Sequence, residues 1–156
     1  MNNIYKNAVK VEQEIVKELV GDKPSNFYYG EYTENNRKYD CLTEGRVLVA
    51  FTFNRFILNK EIFEATNRVL NIAQLLDKTK KLPYEPAQLV GYEPDNKGTC
   101  CVLKTKTNEK ILFNKKYLKY FTDDVEYKVY DNKSPIKIYN GDVFMGIIMP
   151  VYKNEW

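Results

Sequence analysis

With 156 residues, 44% of them hydrophobic and 29% charged, the chain has the size and make-up of one compact domain spanning residues 1–156. Aromatics at 14%, thirteen of them Tyr, exclude a disordered chain, and no apolar run reaches the ~20 residues of a membrane span. The net charge of +3, from 24 basic and 21 acidic residues, is too small to indicate nucleic-acid binding by itself; the absence of His removes Ser-His and Cys-His nucleophilic pairs and His-ligated metal.

Residues 3–20 read as an amphipathic helix, with Ile4, Ala8, Val11, Ile15 and Leu19 on one stripe, closed by Gly21 and Pro24. The start MNNIYKNAVK lacks the apolar core of a signal peptide, and the expectation is a cytoplasmic protein. Three short aromatic and β-branched runs follow, FYYGEY, KYDCLTEG and RVLVAFTF, with NN and EG turn pairs between them. The nearly unbroken VLVAF predicts a strand covered on both faces.

FILN reads as a further strand ending in Asn59, an N-cap for a helix that starts at Lys60 and carries Ile62, Ala65, Val69, Ile72 and Leu76 on one stripe. AQLVGYE and GTCCVLKTK form a hairpin around residues 94–98. Then KILF is a strand, Asn114 caps a short helix KKYLKYF, and VEYKVYD, PIKIYN and VFMGIIMP are three strands joined by DNKS and NGD turns. The order strand, Asn-capped helix, antiparallel strands occurs twice. It predicts an α+β domain of two such halves with the helices on one side of the sheet, plus the N-terminal helix.

Cys41, Cys100 and Cys101 without His cannot supply a four-ligand zinc site, and read as buried thiols. Glu126-Tyr127-Lys128, with Asp123 and Asp124 upstream, has the E-x-K spacing of a nuclease metal site. Those acids sit in a turn before the strand, however, and alternation puts Glu126 and Lys128 on one exposed face, where a cross-strand charge pair is the default. No phosphate-cradling Gly loop or nucleophile elbow occurs. The expectation is a protein with no catalytic residues, no metal and no cofactor.

Electrostatics carries more. Lys60 and Arg68, with Asn67 and Asn71 beside them, lie on the polar side of the middle helix, and Lys115, Lys116 and Lys119 crowd the short second one. Such lysines can contact phosphates without reading sequence. Val143–Val151 ends in Met149-Pro150-Val151, whose Met side chain suits an adaptable protein-docking surface.

EKILFNKKYLKYF, VEYKVYDNKSPIKIY and GIIMPV, within residues 109–151, resemble the final domain of the bacterial DNA sliding clamp, the ring-shaped β subunit of the replicative polymerase. Ser134-Pro135 followed by Ile136 and Ile138, then Met149-Pro150-Val151, are its most specific matches, and YDCLTEGRVLVAF is similar to the family's TDG-x-x-L hairpin. The resemblance implies a clamp-like domain in which Lys60, Arg68, Lys115, Lys116 and Lys119 face duplex DNA and Met149, Pro150 and Val151 meet a polymerase-type partner. A clamp subunit has three such domains and this chain has room for one, so a ring would need several copies. The implied function is a non-enzymatic DNA-replication or processing accessory, of a phage type by its Lys, Asn, Tyr and Ile bias. The alternative is a phage-type interaction protein that binds and inhibits or redirects a host protein; metal-dependent cutting dependent on Glu126 comes third.

Overall fold

The computed structural model describes residues 27–52, 60–95, 98–121 and 124–151. The expected helix over 3–20, the FILN strand with its Asn59 cap, and Asp123 lie outside them. Among the described residues there are nine strands: β1 (Tyr28–Glu34), β2 (Arg37–Thr43), β3 (Val47–Thr52), β4 (Glu85–Asp95), β5 (Gly98–Lys104), β6 (Lys110–Asn114), β7 (Glu126–Val129), β8 (Ile136–Asn140) and β9 (Val143–Ile148). They form one sheet in the order β1-β2-β3-β9-β8-β7-β4-β5-β6, antiparallel at every step.

This overturns the expected α+β clamp-like domain. The sheet is three consecutive three-stranded meanders laid edge to edge, joined where β3 pairs β9 and where β7 pairs β4. KILF, read above as the opening of a second half, pairs with GTCCVLKTK as β6 on β5, and the proposed repeat dissolves. Nor do the helices share a side. Helix α1 (Lys60–Ala65), helix α2 (Ile72–Asp77) and a 3-10 helix (Lys115–Tyr120) have six residues each. Ile72 and Leu76 of α2 pack on one face of the sheet, while Tyr117 and Tyr120 of the 3-10 helix pack on the other with Phe63 of α1.

The long middle helix fails at Asn67. Its φ of 56° is left-handed, Arg68 N–H bonds the Phe63 carbonyl at 2.7 Å and Asn67 N–H the Glu64 carbonyl at 3.2 Å. That double closure ends a helix. Asn71 then caps α2 by accepting from Gln74 N–H at 3.0 Å. Between them Val69, expected on the buried stripe, is 47% exposed, because residues 68–70 run along the open edge of β1. Tyr29 N–H bonds the Arg68 carbonyl and Leu70 N–H the Tyr29 carbonyl. An edge strand is thereby part-covered.

Turn chemistry agrees with the sequence. Asn35 and Asn36 both have positive φ between Glu34 and Arg37, the two-residue turn that matches strand twist. Val47–Phe51 of β3 is buried throughout: Val47, Val49 and Phe51 enter the inner core, Leu48 and Ala50 the outer one. Cys100 and Cys101 face opposite sides and, with Cys41, are buried thiols outside any disulfide.

All nine strands send residues to the inner core. The sheet curls round it until its two ends meet: Phe27, just before β1, lies 6.4 Å from the ring of Tyr120, just past β6. Beyond β9, Val151 N–H bonds the Leu112 carbonyl of β6 at 2.7 Å.

On the outer face α2 comes unusually near β1. A Cβ on Gly30 would collide with Ile72 Cγ1 and lie 2.6 Å from the Leu70 carbonyl oxygen. Gly30→Ala is therefore expected to lower unfolding free energy by about 1–3 kcal/mol, read from the urea midpoint.

Carboxylates hold several phenols. Glu34 accepts from Tyr32 and from Tyr139, each at 2.9 Å, and Asp40 accepts from Tyr29. Burial first, then these carboxylates, raise all three phenols well above the ordinary value of 10.0. The unfolded chain ionises at the lower value, so this contribution is complete below pH 10 and is lost as pH rises toward the folded values. The urea midpoint should fall steeply above about pH 10, and Glu34→Gln should flatten that fall. A midpoint indifferent to pH in this range would show the phenols to be uncoupled from folding.

Candidate nucleic-acid interface

Asn114, at the end of β6, accepts from Lys116 N–H at 3.0 Å and starts the 3-10 helix as the sequence predicts. With three residues per turn, positions 116 and 119 eclipse one another, as do 117 and 120. The sequence Lys116-Tyr117-Leu118-Lys119-Tyr120 exploits that period. Both tyrosines turn into the inner core, at 6% and 3% exposure, and both lysines stay exposed outside. Each ammonium sits over the next ring: Lys116 Nζ is 5.1 Å from the Tyr117 centroid and Lys119 Nζ 4.9 Å from that of Tyr120. The ring faces attract the cations and narrow the range over which they swing.

Lys115 follows the same principle with a partner from another strand. Its Nζ lies 4.5 Å over the ring of Tyr92 on β4. Tyr92 pairs with Cys101, and Cys101 with Phe113, so the ring stands at the end of a cross-strand row directly below the start of the 3-10 helix. Burial raises the Cys101 thiol to about 11, with Lys115 pulling it back and Cys100 adding to the rise.

Arg46, in the turn between β2 and β3, joins the cluster. It shares a hydrogen bond with the Tyr117 phenol, whose pKa burial raises first and Glu44 further, against the opposing pull of Arg46. The Arg46 carbonyl accepts from Met149 N–H at 2.8 Å. Met149, Pro150 and Val151 lie just past β9, half-buried, tied to Arg46 at one end and to Leu112 at the other; Val151 packs on Cys100, Val102 and Leu112. The fold therefore brings the lysines 115, 116 and 119 and the Met-Pro segment together through Arg46 and β6.

Lys60 and Arg68 belong to another neighbourhood. Lys60 is exposed at the start of α1. Arg68 is half-buried, its guanidinium 5.4 Å over Phe63 and its Nε–H donating to Thr66 Oγ1 at 2.9 Å. They flank the β1 edge, where Phe63 stacks on Tyr29; both rings share the inner core with Phe27 and Tyr120.

Of the acids weighed for a nuclease, the described Asp124 and Glu126 do not converge. Glu126 is exposed opposite Tyr139, Asp124 accepts from Asn140 Nδ2 at 3.3 Å, and Lys128 lies 4.6 Å over the Tyr139 ring. Among the described residues no three of His, Cys, Asp and Glu gather as metal ligands would. Among the same residues no helix is long and apolar enough to cross a membrane.

Sequence reasoning missed Arg46, Tyr92 and Lys137. Lys137 is 9% exposed on β8, its Nζ 4.3 Å over Tyr84, whose phenol donates to the Pro135 carbonyl at 2.8 Å. Burial pulls the Lys137 pKa down, Glu34 opposes, and Lys128 and Lys80 add to burial. Its flanking isoleucines gave the only signal: in Pro-Ile-Lys-Ile-Tyr the lysine occupies the alternate face of a buried strand. Comparison of the chain with protein-family models, with curated proteins and with solved structures gives no match in any of the three.

Proposed function

We propose that this chain is a non-enzymatic accessory of DNA replication or processing, working in the cytoplasm, that lays its 3-10 helix against a sugar–phosphate backbone without reading sequence. The observation that carries the reading is the eclipsed pair of lysines, Lys116 and Lys119, each held over the following tyrosine, with Lys115 held the same way over Tyr92. Cations restrained before binding lose less side-chain freedom on meeting phosphates. Arg46 extends the basic surface, and Met149–Val151 beside it is the edge on which a polymerase-type partner would dock. Lys60 and Arg68 would serve as a second, separate backbone contact.

The test is titration of labelled duplex at low and raised salt. Affinity should fall steeply with salt, and replacing Lys115, Lys116 and Lys119 by Ala should flatten the log–log slope by roughly 0.9 for each lysine that meets a phosphate. No binding at low salt removes duplex DNA from the reading.

One observation favours the second reading, a phage-type protein that binds and redirects a host protein. Leu89, Val90 and Tyr92 of β4 are 37%, 54% and 55% exposed, an apolar run along one strand. Binding to a single protein target with no affinity for DNA would be its signature.

A further inference from the structure

We infer that the nucleic acid taken by this surface is single-stranded, with Tyr92 as the platform on which one unstacked base lies. The inference rests on the nucleic-acid reading above and adds to it the class of strand. Three rings carry lysines here, and they differ in one respect. Tyr117 and Tyr120 are buried in the inner core at 6% and 3% exposure, whereas Tyr92 is 55% exposed. Lys115 Nζ stands 4.5 Å over one face of the Tyr92 ring, placing a phosphate-binding charge and a half-exposed aromatic side chain within one nucleotide's reach.

A duplex would use that ring only to hold Lys115. Its bases are paired and stacked, and a backbone-reading surface needs cations alone. A single strand presents unstacked bases between its phosphates, and proteins that hold such strands combine a basic track with aromatic side chains. The surroundings of Tyr92 point the same way. Leu89 and Val90 precede it on β4 at 37% and 54% exposure. A polyanionic duplex rod offers nothing apolar to cover these side chains, while splayed bases do. Every base has a stacking face, so the binding would be tolerant of sequence.

The experiment compares labelled oligothymidylate and oligouridylate with a hairpin duplex of equal length, at low salt, for the unaltered chain and for Tyr92→Ala and Tyr92→Phe. Either single strand should bind more tightly than the duplex. Tyr92→Ala should weaken single-strand binding by about tenfold or more and duplex binding far less, since a duplex loses only the restraint on Lys115, and Tyr92→Phe, which keeps the ring, should retain both. Duplex binding equal to or tighter than both single strands would overturn this inference and leave the backbone-binding reading standing, as would a Tyr92→Ala chain with unaltered single-strand affinity. Absence of binding to all three probes would overturn the nucleic-acid reading itself.

Discussion

Gly146→Ala is expected to cost about 2–5 kcal/mol of stability, from two causes. Gly146 sits in β9 between Val49 of β3 and Ile138 of β8, with φ at 146°, a backbone state that side-chain-bearing residues rarely adopt. The pairing slips there. Ile138 opposes Gly146 and Tyr139 opposes Phe144, so Met145 is an extra residue on β9, and the strand bulges. A Cβ at 146 would be driven into the Leu48 carbonyl oxygen and would lie 3.1 Å from Phe121 Cε1. The backbone state alone costs roughly 1–2 kcal/mol, and forcing a methyl group against rigid backbone roughly 1–3 more. Gly141→Ala is the control. Its φ is 61° but nothing lies within 4 Å of the added Cβ, so only the backbone part applies. Urea midpoints of the two variants should differ clearly, with Gly146→Ala the weaker. Equal losses would mean that the sheet can shift at β9, against the packing described here.

The bulge also explains what could and could not be read beforehand. Features set by neighbours along the chain were legible: Asn35-Asn36 as a turn, Asn114 as a cap, β3 as a strand buried on both faces. Features decided by partners far along the chain were not. Nothing in VLVAF or VFMGII says that β3 should pair with β9 rather than with the strand that follows it, because both runs are apolar on both faces and would suit many neighbours. The expectation of an α+β domain failed for a related reason. A 3.6-residue stripe from Ile62 to Leu76 passes unbroken through Asn67, yet a left-handed Asn closes α1, and the freed residues 68–70 gain more from pairing with the edge of β1.

The candidate interface divides in the same way. Lys115, Lys116 and Lys119 are close in sequence, and their grouping needed no tertiary information. Tyr92, Arg46 and the Met149–Val151 segment reach them only through the β4–β5–β6 pairing and the curl of the sheet, which no local pattern encodes. Lys60 and Arg68 were grouped with them through the clamp resemblance; α1 and the 3-10 helix do pack on the same inner core, but Arg68 lies past α1 along the edge of β1, held over Phe63.

Phe144→Ala should be at least as damaging as the glycine substitution, at about 3–5 kcal/mol. Phe144 is 1% exposed on the outer face, its ring 5.2 Å from Tyr32, 5.7 Å from Tyr39 and 5.6 Å from Tyr139. Those three rings come from β1, β2 and β8, and its own N–H donates to the Tyr39 hydroxyl at 3.1 Å. Removing the ring opens a cavity that stiff tyrosines, Tyr32 and Tyr139 fixed at their far ends by Glu34 and Tyr39 by Phe144 N–H, cannot close by rotating. It also removes three aromatic pairings, each worth ~0.5–1.5 kcal/mol beyond burial. Phe144→Leu keeps most of the volume and should lose about half as much. Because this cluster lies on the opposite face from the inner core that seats the 3-10 helix, Phe144→Leu should leave nucleic-acid affinity unchanged while lowering the urea midpoint. A Phe144→Ala midpoint within about 1 kcal/mol of the unaltered chain would show that the outer aromatic cluster does not hold the two hairpins together.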